Sequence, residues 1–101
     1  MTDFLTPMLT AAEKAAGTEW GTIKGDLTTF SKNLIQDTAD TAANFAAGTI
    51  SAAVAKEQIE DEVDIAALIA NYTAVAIKVA IQAAVNAAVD ALWSTITSAI
   101  P

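Results

Sequence analysis

The stretch from Ile65 to Ile100 constrains this chain most: it holds no glycine or proline, intersperses alanine with Ile, Leu and Val, and carries charge only at Lys78 and Asp90. It predicts one long helix, and a helix apolar around most of its circumference belongs inside something larger. A chain of 101 residues has little core of its own in which to hide such a helix. The expectation is that other copies of the chain cover it, so that the protein is built for assembly rather than for chemistry.

The residue types point the same way. The sequence contains no Cys, His or Arg. Without Cys there is neither a disulfide framework nor a thiolate metal site. Without His the usual general base near neutral pH is missing, and without Arg so is the bidentate clamp for phosphate or carboxylate. The repeat Gly17-x-x-x-Gly21-x-x-x-Gly25 has neither the spacing nor the Lys-Ser/Thr ending of a nucleotide-binding loop. No enzyme, cofactor or metal is expected. A net charge of −7 disfavours nucleic acid and anionic membranes by long-range repulsion. The opening Met1-Thr2-Asp3-Phe4-Leu5 lacks the basic and apolar regions of a secretory signal. The expected location is the cytoplasm, or the exterior by a route that uses no classical signal peptide.

One all-α domain spanning 1–101 is expected, and two internal repeats divide it. Ala-Ala-Gly-Thr occurs at Ala15–Thr18 and again at Ala46–Thr49; Gly just past a helix end followed by Thr as the next N-cap is a stop-and-restart signal. Helices are therefore expected over about 7–16, 19–47 and 50–99, the first capped by Thr6 with Pro7 at its first position. The architecture is a helical hairpin with a short N-terminal helix and a long Ala-rich C-terminal helix, packed in an oligomeric bundle or filament. An unbroken third helix would be about 75 Å long, too long for a compact monomer. The alternative is a break in which Asp64 caps a fresh helix from Ile65.

Two faces are candidates for interfaces. Gly17, Gly21 and Gly25 weaken the start of the second helix and either mark an irregular hinge there or, continued by Thr29 at the same four-residue spacing, form a small-residue face suited to close backbone approach. On the third helix Ala76, Ala80, Ala83, Ala84, Ala87, Ala88 and Ala91 share a side, and the two small faces are expected to pack together, within one chain or between chains. The second candidate is the large apolar row: Trp20, Ile23, Leu27, Phe30 and Leu34 on the second helix, and Ile77, Ile81, Val85, Val89 and Trp93 on the third, where it is placed opposite the alanines. A narrow polar stripe, Lys78, Gln82, Asn86, Asp90 and Ser94, separates the faces.

The remaining polar groups suggest surfaces rather than sites. Glu57, Glu60, Asp61, Glu62 and Asp64 would repel one another on a continuous helix; they match no EF-hand loop and, without His, no di-iron carboxylate motif. A solvated acidic face is the expected role. Lys78 and Asp90 lie twelve residues apart and cannot pair on one helix, and Tyr72, Trp20 and Trp93 are expected as core or interface anchors. The function these features support is a self-assembling structural protein: a subunit of a homo-oligomer, filament, sheath or virion-like assembly, whose partner is itself. The rival is a small membrane-active or pore-forming protein that releases its apolar C-terminal helix into a bilayer. Lys78 and Asp90 weigh against it, because each costs about 2.5 to 3.5 kcal/mol at a helix centre in the membrane. A third reading is a monomeric adaptor for one helix of another protein.

Overall fold

A carboxylate starts the first helix. In the computed structural model, which describes residues 3–98, Asp3 Oδ1 accepts the backbone N–H groups of Leu5 at 3.0 Å and Thr6 at 3.1 Å. α1 then runs Leu5–Ala16. These are N-cap bonds, so the helix begins ahead of the expected Thr6-Pro7 start. Pro7 sits in the first turn, where its missing N–H has no intrahelical bond to lose. Hydrogen bonding from Thr6, by its side chain and then its backbone, with Leu5 adding to it, holds the Asp3 carboxyl below its ordinary pKa.

Both Ala-Ala-Gly-Thr repeats stop a helix, by different means. Gly17 takes φ 61° and ψ −127°, and its N–H reaches the Glu13 carbonyl; this is backbone that a residue with a Cβ avoids. A 3₁₀ turn, Gly17–Glu19, leads directly into α2, Trp20–Asp37. At the second repeat α3, Ala39–Ala46, ends in a Schellman motif: Gly48 at φ 77° donates to the Phe45 carbonyl and Thr49 N–H to that of Asn44, both at 3.0 Å. Thr49 does not cap the next helix, because its hydroxyl also turns back to Asn44 O at 2.9 Å. Ser51 does so instead, its Oγ accepting Val54 N–H at 3.2 Å, and α4 follows over Ala52–Asp61.

The two longer expected helices are both divided. Thr38 interrupts the segment expected over 19–47. Its buried hydroxyl donates to Leu34 O at 2.7 Å, the back-bonding that bends helices. The segment expected over 50–99 breaks twice, into α4, α5 (Ala66–Ala70) and α6 (Val75–Ser98); Ala99 lies outside the described residues. At the first break Glu60 and Asp61 place negative charge at the negative end of the α4 dipole, and Asp64 Oδ1 accepts Ala66 N–H at 3.0 Å. The break expected as the alternative is present, but the helix it opens begins at Ala66 rather than Ile65 and runs only to Ala70. The second break spans Asn71-Tyr72-Thr73-Ala74, the first three of which have poor helix propensity.

These breaks fold the chain back on itself. The longest dimension is 43 Å, against about 75 Å for the unbroken helix. The architecture among the described residues is all-helical with no strand. α6 forms its axis and buries Ala80, Ile81, Ala84, Val85, Ala88, Leu92 and Ile96. α1 lies against α6 more closely and extensively than any other pair of elements, presenting Met8, Ala12 and Ala16. α2 packs on both through Ile23, Leu27, Ser31 and Leu34, α5 touches α6, and α3 pairs with α4, where Thr41 Oγ1 donates to Gln58 Oε1 at 3.1 Å.

Candidate interaction surfaces

The large apolar row is used mainly inside the chain. Ile23, Leu27, Leu34, Ile81 and Val85 are buried, and Trp20, Phe30, Ile77, Val89 and Trp93 pack half-buried against them. Trp93 stacks on Phe45 with ring centroids 5.4 Å apart. Each large side chain so buried contributes roughly 1.5 to 3 kcal/mol, and this supplies the core that the composition assigned to neighbouring copies.

On α6 the alanines and the large residues are neighbours round the helix, not opposites. At about 100° per residue the buried arc from Ala80 to Ile96 takes in the edge of each row. Ala80, Ala84 and Ala88 are buried, Ala83, Ala87 and Ala91 are half-buried, and Ala76 is exposed. Gln82, Asn86, Asp90 and Ser94 face solvent, while Lys78 is half-buried.

The glycine face does not meet the alanine face within the chain, contrary to one of the two arrangements expected. Gly17, Gly21 and Gly25 are exposed, and no atom lies within 4 Å of where a Cβ on any of them would sit. The partner that α6 accepts closely is α1, whose residues Met8, Ala12 and Ala16 carried no interface expectation. Helix pairing is non-local, and a twelve-residue helix with a two-alanine face gives no signal of which neighbour it will choose.

The outer surface carries three further features. Val75, 73% exposed, and Val79, 59% exposed, stand four residues apart near the N-terminus of α6, beside the polar stripe. An open groove of about 320 Å³ is lined by the carboxylates of Asp26, Asp37, Glu62 and Asp64 with Thr29 and Asn33, so part of the acidic segment faces acids on α2 that sequence spacing did not connect to it. Tyr72 closes onto the same region, its hydroxyl donating to Asp26 Oδ2. That bond, then partial desolvation and the carboxylate charge, raise the Tyr72 pKa. Glu57, Glu60 and Asp61 are exposed, and among the described residues no three carboxylates gather in a way that could hold a metal ion. Third, a half-enclosed apolar groove opens beside α3.

The surfaces thus belong to an all-α helical bundle. Set against known proteins, the chain matches no family, no curated protein and no solved structure.

Proposed function

We propose that the protein is a self-assembling structural subunit of a homo-oligomer, filament, sheath or virion-like array. The observation that carries this is the pair Gly21 and Gly25. Gly25 sits inside α2, where glycine costs roughly 1 kcal/mol relative to alanine, and Gly21 sits in the first turn of the same helix. Neither has a positive φ or an intrachain neighbour that a Cβ would meet. Residues kept small at a cost, on an exposed helix face, suit close contact with a helix of another copy. Val75 and Val79 add an apolar surface of the kind that assembly covers. The net charge of −7 opposes association, so assembly strengthens on acidification and at higher salt. Light scattering after size-exclusion chromatography over a concentration series, followed by negative-stain microscopy of the heaviest fraction, tests the reading. Regular particles or filaments support it, and a monomer at every concentration, pH and salt overturns it.

The membrane-active alternative rests on α6, a helix of 24 residues that is long and apolar enough to cross a bilayer by length and composition. Core helices of soluble proteins share that property, and here release of α6 would take away seven buried core residues. Dye release from liposomes separates the two readings: leakage at low protein concentration favours the membrane, and intact vesicles remove it.

A further inference from the structure

α3 is an amphipathic helix whose apolar face buries no residue. Ala39, Ala42, Ala43 and Ala46 fall at the i, i+3, i+4, i+7 spacing of one helix face, where a core-facing helix ordinarily carries larger side chains. Across from them stand Phe4, Ile35, Leu92 and Ile96, and between the two sides lies a half-enclosed space of about 310 Å³. Among the described residues Thr38 is the one polar residue lining it, and its hydroxyl proton is already given to Leu34 O. No ionisable side chain of the described residues lines the space, in contrast to the acidic groove on the other side of α2.

We propose that this groove is a binding site for a small uncharged apolar molecule, a medium-length aliphatic chain or its equivalent. Size selects the occupant. The volume is about twice the ~150 Å³ apolar cavity that holds one benzene, and it falls at the lower end of the 300 to 1,000 Å³ range typical of small-molecule pockets. Chemistry selects it further: with no cation and no free donor on the lining among the described residues, a carboxylate or phosphate would be desolvated without compensation, whereas a hydroxyl at one end of the ligand can donate to the lone pairs of Thr38 Oγ1. The site does not depend on self-assembly, because all its walls come from one chain.

The test uses decan-1-ol as the probe, titrated into the full chain and followed by the methyl resonances of Ile35, Leu92 and Ile96, with mass measured by light scattering in the same buffer. The expected result is saturable one-to-one binding that shifts these three residues together. Ala43→Leu and Ala46→Leu, exposed alanines whose replacement fills the groove without overpacking the core, weaken binding at least tenfold and leave the melting temperature unchanged or raised. Ala76→Leu, distant from the groove, leaves binding unchanged. The proposal is overturned if binding does not saturate, if it survives in both groove-filling variants, or if it is lost equally in Ala76→Leu. It is also overturned if the wild type is a dimer that Ala43→Leu and Ala46→Leu dissociate without any decanol binding, which would assign the groove to a second copy.

Discussion

The four glycines of this chain fall into two pairs, and the difference between the pairs locates the interesting surface. Gly17 and Gly48 have positive φ, 61° and 77°, and the turns at the ends of α1 and α3 depend on them. Gly21 and Gly25 occupy ordinary helical backbone in α2, exposed and clear of every neighbour. The first pair is explained by the fold. The second weakens the helix that contains it without helping any contact in the chain, and an intermolecular contact is the explanation we propose.

The comparison can be tested from its most sensitive side first. Replacing Gly17 with Ala puts a Cβ into strained backbone and is expected to destabilise the protein by about 1 to 3 kcal/mol, read as a lowered denaturation midpoint with unchanged slope. Gly21→Ala and Gly25→Ala should behave in the opposite way under dissociating conditions, each raising monomer stability by roughly 0.5 to 1 kcal/mol, or several degrees in melting temperature. A loss of stability there would show that the second pair is also required by the monomer and would dissolve the distinction.

Ser31, on the buried side of the same helix, offers a calibration of comparable or smaller size. Its hydroxyl is fully buried with no hydrogen-bond partner among the described residues, so Ser31→Ala removes an unsatisfied polar group and is expected to be neutral or stabilising by about 1 kcal/mol. Thermal denaturation checks it, and a clear destabilisation would mean that the hydroxyl is satisfied.

The smallest effect concerns Asp26, the neighbour of Gly25, and its bond from Tyr72. Because folding raises the Tyr72 pKa, the folded state holds the phenolic proton more tightly than the unfolded chain. The stabilisation is complete below the unfolded value of about 10 and is lost as pH rises through the folded value. Melting temperatures between pH 8 and 11 should fall more gently in Tyr72→Phe than in the wild type; identical slopes would contradict the bond.

Much of this fold was legible along the chain because it is local. The stops at Gly17 and Gly48 and the solvent-facing Gln82, Asn86, Asp90 and Ser94 follow from turn chemistry and helical period, whereas the sequence left both an unbroken helix and a break at Asp64 open. The kink at Thr38 was missed because a single buried threonine bends a helix only when its hydroxyl turns inward. The break at Asn71–Ala74 had a readable sign, three weak helix formers in a row, outweighed by the apolar residues on either side. What was not legible is pairing. Nothing local says that α1 packs on α6, that Asp26 and Asp37 line one groove with Glu62 and Asp64, or that the α3 alanines leave a groove.

The central claim, that the exposed glycines of α2 serve contact between copies, is tested most directly by comparing wild type with Gly21→Leu, using light scattering for mass and thermal denaturation for stability. The account predicts a multimeric wild type and a dissociated variant whose monomer melts no lower. Equal mass in the two proteins, with equal or higher stability in the variant, would contradict it.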